Sequence, residues 1–172
     1  GVYGVAPTSG NAFSREALSD IFPIEEEIYR ISADGYLATV IAFYGKVIAI
    51  EESLGAYRVH GDNNWGSAMD GKRFRSFIEH DLRKRDLLVQ QATAFGYEVP
   101  ENVLLKTNAH LRARIASLRL DPKNHPVPSD NTFKLIYHGI RSAWSYSDLN
   151  RKKQLIVMTW FLIVGLIPIS VS

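Results

Sequence analysis

The sequence changes character near Trp65, and this change limits the folds that the chain can adopt. Upstream of it, short runs of β-branched residues lie among helical patterns, which predicts strands over residues 46–50 and 56–60. Downstream of it, no strand-like alternation follows, and apolar residues recur only at helical spacing. The sequence therefore predicts a mixed α/β segment followed by a purely helical one.

The helical patterns have recognisable ends. Ser14 can cap a short helix, and Ser32 can cap a second one that ends at Gly45. In the second part, a long helix is predicted over residues 71–95, closed by Gly96. A further helical stretch opens at Pro100-Glu101, a loop rich in proline follows it, and Asp130 can cap the next helix. Each of these three helices carries apolar residues at helical spacing: Phe74, Phe77, Ile78, Leu82, Leu88, Val89, Ala92 and Phe95 in the first, Leu104, Leu111, Ile115 and Leu118 in the second, and Phe133, Ile136, Tyr137 and Ile140 in the third.

Composition excludes several classes of protein. The 172 residues are 46% hydrophobic and 22% charged, which is typical of a globular chain, and they contain no cysteine. Disulfide scaffolds, cysteine–zinc sites and thiol nucleophiles are therefore excluded.

The charges are distributed unevenly along the chain. Residues 1–60 hold four basic and eight acidic side chains, whereas the remainder holds sixteen basic and ten acidic ones. A basic second half favours an anionic partner, but no basic motif interleaved with aromatic residues indicates nucleic acid.

The last eighteen residues, 155–172, contain no charged side chain and directly follow Arg151-Lys152-Lys153. As a helix they would measure roughly 27 Å, close to the thickness of a hydrocarbon core. Basic flanks are retained on the cytoplasmic side of membranes, so this pattern predicts association with the cytoplasmic face of a membrane. A buried core helix, or a helix lying in the membrane interface, has the same pattern.

Two short stretches carry candidate functional side chains. On the strand predicted before a Gly-Asp-Asn-Asn turn, Arg58 and His60 share one face, which suits an anionic or metal-bound ligand. An edge strand with a solvated polar face explains them equally well. Asp34 follows the Ser32 cap, so the helix dipole favours its ionised form, as a general base requires. Acidic residues are also common in first turns simply because they stabilise them.

The order of four segments resembles the second half of a family 2 glycosyltransferase. The segments are residues 7–18, 32–37, 44–47 and 54–63, and the resemblance covers roughly residues 1–66. It implies the GT-A fold, an α/β sandwich around a nucleotide-sugar site. It also implies an inverting reaction that moves one sugar from a nucleotide-sugar donor to a hydroxyl of a glycan or lipid-linked acceptor. The processive-synthase signature Gln-x-x-Arg-Trp is missing, so we expect transfer of a single sugar.

The resemblance assigns roles to five residues of this sequence. Asp34 matches the catalytic base, and Gly10 and Asn11 match the loop that borders the donor sugar and the acceptor. His60 matches a histidine that helps to bind a divalent metal, Mn²⁺ or Mg²⁺, on the donor diphosphate. Arg58 could add positive charge near that diphosphate. From the residues alone, the loop around Gly10 and Asn11 is equally a plain turn.

This sequence also departs from the family. Ala33 stands where members often have a glutamate before the aspartate, and no Asp-x-Asp metal motif occurs. In the family that motif belongs to a nucleotide-binding half that precedes the matched region. We therefore expect the chain to be part of a longer polypeptide and to be inactive by itself.

These observations predict a three-part chain. Residues 1–66 would form the α/β, GT-A-like part, 67–150 an all-helical extension, and 151–172 an apolar helix that associates with a membrane. The alternative is a non-catalytic, membrane-associated helical adaptor, which the helical second half and the basic-then-apolar end would suit. A metal-dependent hydrolase fits less well, because no second histidine or carboxylate stands at a suitable spacing. His80, His110 and His138 lie within helical patterns and are interpreted as surface or packing residues, and His125 in the proline-rich loop is interpreted as structural.

Overall fold

The computed structural model describes residues 8–29, 33–56, 58 and 70–168. Within these residues the chain forms two compact units. The first holds the described residues up to position 58 together with 86–99, and the second holds 70–85 and 100–168. The predicted division into parts ending at residues 66 and 150 remains a prediction.

Three helices precede residue 58 in the first unit: α1 (Arg15–Ile21), α2 (Glu26–Tyr29) and α3 (Ala33–Tyr44). A short 3₁₀ helix, Thr8–Gly10, comes before them. The predicted cap of α1 is confirmed, because the Ser14 hydroxyl accepts a hydrogen bond from the Ala17 N–H at 3.2 Å. That bond satisfies one of the free N–H groups of the first turn.

Ile21, Val40 and Leu87 form the buried core of this unit. They come from α1, from α3 and from the last part of α4 (Gly71–Ala94). The Tyr44 hydroxyl also donates a hydrogen bond to the Gln91 side-chain oxygen, 3.1 Å away. Apolar burial and this bond hold α3 against the end of α4, so the position of α3 within the unit is defined along its length.

The long predicted helix is confirmed as α4. At its start, the Asp70 carboxylate accepts a hydrogen bond from the Arg73 N–H at 2.8 Å. At its end, Gly96 has φ of 76°, a left-handed conformation that other residues rarely adopt. The Tyr97 N–H then bonds back to the Ala92 carbonyl oxygen at 2.8 Å, which completes the turn that ends the helix.

In the second unit, α5 (Asn108–Leu120), α6 (Thr132–Ser145) and α7 (Arg151–Leu166) pack together. Their shared core consists of Leu111, Ile115, Leu135, Ile136 and Phe161. The helices α6 and α7 run antiparallel, because Gly139 lies against Phe161 whereas Gly165 lies against Ile136. Two glycines at the contact let the helices approach closely, since neither adds a side chain between them.

The expected α/β fold is wrong for the residues that the structure describes: they are helical or irregular and form no strand. Lys46–Ile50, predicted as a strand, is an exposed irregular segment in which Ile48 and Ile50 are 73% and 70% accessible to solvent. A strand requires a neighbour for its N–H and C=O groups, and none of the described segments supplies one. Of the second predicted strand, Ala56 and Arg58 are irregular, and the other residues lie outside the described part.

Two helix starts in the second unit also differ from the prediction. The stretch that opens at Pro100 forms a 3₁₀ helix, Val103–Lys106, and α5 begins only at Asn108. Asn131 rather than Asp130 caps α6, because its side-chain oxygen accepts the Lys134 N–H bond at 2.8 Å. Adjacent Asp and Asn residues are comparable caps, so local sequence does not separate them.

The C-terminal apolar segment forms α7, which ends at Leu166, before Pro168. Its length of 16 residues corresponds to about 24 Å. None of the helices in the described ranges is long and apolar enough to cross a membrane. One side of α7 packs into the second unit, where Gln154, Phe161 and Gly165 are buried.

Candidate functional site

Asp34 lies in the first turn of α3, as predicted, and its side chain is exposed. One carboxylate oxygen accepts a hydrogen bond from the Gly35 N–H at 2.8 Å. The free N–H groups and the dipole at a helix start stabilise negative charge there. Because Val40 anchors α3 in the core, Asp34 is an exposed carboxylate on a fixed support. This arrangement is chemically able to accept a proton from a bound hydroxyl group.

Tyr36 lies half-buried two residues after Asp34, and its ring meets the Tyr29 ring edge-on with centroids 4.6 Å apart. Burial, and secondly the nearby Tyr44, raise the pKa of Tyr36 above its usual value. Its hydroxyl therefore stays protonated and can donate a hydrogen bond at neutral pH. The sequence alone does not single out Tyr36, because helical periodicity does not distinguish a tyrosine that only packs from one that also presents a polar group.

The structure gives less information on the other predicted site residues, Gly10, Asn11, Arg58 and His60. Gly10 ends the short 3₁₀ helix and is exposed, and Asn11 follows it in an irregular, half-buried position. Arg58 is exposed and irregular. His60 lies outside the described residues. The predicted convergence of Asp34 with Gly10, Asn11, Arg58 and His60 stays a prediction.

A divalent metal would need several oxygen or nitrogen ligands from this chain or its substrate. Within the ranges that the structure covers, no three His, Cys, Asp or Glu residues are grouped so that they could hold a metal ion. His60, the ligand predicted for Mn²⁺ or Mg²⁺, lies outside those ranges, so the metal site stays a prediction.

A shallow, open groove of about 390 Å³ lies along α1 in the first unit. It follows the Gly10-Asn11 segment in the chain but contains none of the predicted site residues. Its lining consists of Phe13, Arg15, Leu18, Ser19 and Phe22.

The second unit contains a buried polar network that the sequence did not predict. The carboxylate of Asp130 is fully buried and pairs with Arg114 through two hydrogen bonds, the Arg114 Nε–H bond measuring 2.7 Å. Asp130 Oδ2, which accepts the Arg114 Nε–H bond, also lies 3.0 Å from His125 Nε2. On the other side of the ring, His125 Nδ1 lies 3.1 Å from the Ser117 hydroxyl. The network fastens the proline-rich loop to α5.

Serine, histidine and aspartate in one chain of hydrogen bonds also form the catalytic triad of hydrolases. Here, however, Ser117 is only 1% accessible, so a substrate cannot reach its hydroxyl. The Asp130 carboxylate is also shared with the Arg114 guanidinium, which neutralises its charge. The arrangement is therefore structural. The expectation that His125 has a structural role agrees with these contacts.

His110 is a second buried histidine that forms a specific polar contact. Its side chain is completely buried, and Nδ1 lies 2.9 Å from the Asp81 carboxylate. Nε2 is also buried and has no hydrogen-bond partner within the described part of the chain. The sequence placed His110 among surface or packing residues; its pairing with Asp81 joins α5 to α4 and could not be read from spacing, because 29 positions separate the two residues.

Comparison with known proteins gives one informative match. A segment of 62 residues, 36% of this chain, is 48% identical to a Nostoc sp. (strain PCC 7120 / SAG 25.82 / UTEX 2576) protein named an uncharacterized glycosyltransferase. The matched segment covers 19% of that protein, so the chain spans only a small part of its length. No protein-family model matches the chain, and no solved structure matches it either. The similarity supports a relation to a glycosyltransferase but establishes neither family 2 nor the GT-A fold.

Proposed function

We propose that this chain is the acceptor-side part of an inverting glycosyltransferase that moves a single sugar from a nucleotide-sugar donor to a hydroxyl acceptor. The observation that carries the proposal is the 48% identity to a protein named as a glycosyltransferase. The exposed Asp34 carboxylate at the start of α3 supports it, because such a reaction needs a base that the acceptor can reach. The family 2 assignment depends on the sequence resemblance alone.

In the proposed reaction, Asp34 removes the proton from the acceptor hydroxyl while that oxygen attacks the anomeric carbon of the donor. The new glycosidic C–O bond forms as the bond to the diphosphate breaks, and the configuration at that carbon inverts. The nucleoside diphosphate leaves with the bonding electron pair, and the proton stays on Asp34 until solvent removes it. Gly10 and Asn11 would border the two sugars, and Arg58 would lie near the diphosphate. A divalent metal, Mn²⁺ or Mg²⁺, held in part by His60 would neutralise negative charge on the leaving diphosphate.

The test is the substitution Asp34→Asn in the protein expressed from its complete gene. The amide has the same shape as the carboxylate but cannot take a proton at neutral pH. Loss of a general base lowers the rate by about 10²- to 10⁴-fold, so we expect kcat to fall by that factor while donor affinity changes little. Turnover is measured as release of nucleoside diphosphate, and donor affinity by calorimetric titration.

Asp20→Asn is the matched control, because Asp20 is another exposed carboxylate of the first unit, in α1. We expect its kcat to equal that of the wild-type protein within twofold. If Asp34→Asn also keeps its turnover within twofold, Asp34 is not the base. If the complete protein transfers no sugar from any common nucleotide-sugar donor, the adaptor role becomes the better explanation.

A further inference from the structure

The outer sides of α6 and α7 expose an unusual amount of apolar side chain. On α6, Phe133, Tyr137 and Trp144 are 76%, 59% and 52% accessible to solvent. On α7, Leu155, Leu162 and Leu166 are 57%, 41% and 57% accessible. These two sets are called the α6–α7 apolar surface below. Large exposed apolar patches on soluble units mark sites of interaction with another molecule.

Helical spacing places each set on one face of its helix. The α6 residues stand at i, i+4 and i+11 and the α7 residues at i, i+7 and i+11, and both spacings keep the residues on one side of a helix with 3.6 residues per turn. Arg151 lies four residues before Leu155 and so belongs to the same face of α7. Its guanidinium carbon lies 4.3 Å from the centre of the Trp144 ring. This contact joins the exposed face of α7 to that of α6, so the two faces form one continuous surface.

The charges on these helices have a single sign. Together α6 and α7 carry five basic side chains and no acidic one: Lys134, Arg141, Arg151, Lys152 and Lys153. All five are exposed, and the connection between the helices adds one exposed carboxylate, Asp148. A surface that is apolar along its length and basic at its edges is complementary to an anionic, amphiphilic partner.

The pKa of His138 is consistent with a positive electrostatic potential around α6. Burial, then the positive charges of Lys134 and Arg141, lower the pKa of His138 below its usual value. Arg114 acts in the same direction, and only Asp130 opposes them. More basic than acidic side chains therefore act on the His138 position.

We propose that the α6–α7 apolar surface binds the interface of a membrane that contains anionic lipids. The helices would lie in the plane of the membrane, because one side of α7 is buried in the second unit and its other side is apolar and exposed. Trp144 and Tyr137 suit this depth, because an aromatic ring with a polar edge partitions to the headgroup region. The basic residues would contact lipid phosphates. The inference depends only on the second unit and does not rest on glycosyl transfer.

The first test measures binding of the full chain to vesicles by co-sedimentation. Vesicles of phosphatidylcholine with about one-third phosphatidylglycerol are compared with vesicles of phosphatidylcholine alone. We expect tighter binding to the anionic vesicles, and a decrease at 0.5 M salt, where charges more than a few ångströms apart are screened. Equal binding to both vesicle types, or no binding to the anionic ones, would overturn the proposal.

Substitutions then locate the surface. Leu155→Gln with Leu162→Gln removes apolar area but keeps helix propensity, and we expect it to weaken binding by at least about tenfold. Lys152→Gln with Lys153→Gln should weaken binding to anionic vesicles by roughly 30-fold at low salt, from about 1 kcal/mol per basic residue. The matched controls are Leu120→Gln and Arg112→Gln, two exposed positions of α5 outside this surface. Both controls should bind like the wild-type chain.

Circular dichroism of every variant checks that the helices are intact, which the exposure of the substituted residues leads us to expect. If the leucine variant stays folded and binds vesicles normally, the α6–α7 apolar surface is not the binding site. A second copy of this chain could instead cover the surface. Sedimentation equilibrium tests this: a wild-type dimer that the leucine substitutions convert to a monomer, together with unaltered vesicle binding, would overturn the membrane assignment.

Discussion

The buried contact between Arg114 and Asp130 gives a quantitative prediction about the second unit. The Asp130 side chain is inaccessible to solvent and that of Arg114 is 8% accessible, so water cannot replace either partner. Removing one member of a buried ion pair costs about 3–5 kcal/mol, because the other charge remains buried without compensation. Asp130→Asn keeps the shape and one acceptor oxygen, which favours the lower end of that range. We therefore expect a loss of about 3 kcal/mol in the free energy of unfolding.

The measurement is urea unfolding followed by tryptophan fluorescence. Trp144 and Trp160 belong to the second unit, and Trp65→Phe in all variants removes the third tryptophan of the chain. With a denaturant slope of about 2 kcal/mol per molar urea, a loss of 3 kcal/mol lowers the midpoint by about 1.5 M. Asp148→Asn is the control, because its carboxylate is exposed, and its midpoint should change by less than about 0.3 M.

A double substitution separates the pair from its surroundings. Arg114→Met with Asp130→Leu removes both charges and fills their volume with apolar groups, so it should be less destabilising than the sum of the two single changes. The remaining cost would come from His125, which loses its carboxylate partner. An Asp130→Asn midpoint within 0.3 M of the wild-type value would refute the argument, since it would mean that water reaches Arg114.

Two further predictions concern helix packing and metal binding. Gly139→Ala should destabilise the second unit by about 1–3 kcal/mol, because its new methyl group would overlap the buried Phe161 ring, whose Cγ would lie 2.6 Å away. Phe161→Leu in the same chain should recover part of that loss, and Gly45→Ala, which has open space, should be neutral in urea unfolding. His60→Ala should raise the Mn²⁺ concentration required for half-maximal transfer by the complete protein; an identical titration would remove His60 from the metal site.

Helix ends and apolar spacing were the features that the sequence predicted best. The Ser14 cap, the long helix α4 and its end at Gly96 depend on interactions between residues at most five positions apart. Local steric and hydrogen-bonding rules therefore suffice for them. The strands predicted for Lys46–Ile50 and its neighbour failed for the converse reason: a β-branched run favours an extended chain, but only a partner segment makes it a strand.

Of the candidate site, the sequence predicted only the features that depend on neighbouring residues in the chain. A helix start beside Asp34 follows from the sequence, and so does the presence of a carboxylate in the first turn. Whether Gly10, Asn11 and Arg58 approach that carboxylate depends on irregular segments, whose paths are not fixed by periodicity. The sequence does not identify the donor or the acceptor, because their recognition depends on how several such irregular segments together shape a pocket.

The two buried histidines show what a sequence pattern omits even when its assignment is correct. The sequence predicts a surface or packing role for His110 and a structural role for His125, yet it does not show that each lies 2.9–3.0 Å from a carboxylate, on Asp81 and Asp130 respectively. A polar group that enters a core without a partner is costly, so the fold must supply one: α4 supplies Asp81 for His110, and the proline-rich loop itself supplies Asp130 for His125. Two roles were open to Asp130, a helix cap and a buried ion pair. It could have capped α6, but the adjacent Asn131 performs that task, which leaves the carboxylate of Asp130 available for Arg114 and His125. A neutral amide suffices at a helix cap, whereas a buried guanidinium needs a charged partner, so the division of roles between the two neighbours follows from charge rather than from helix propensity.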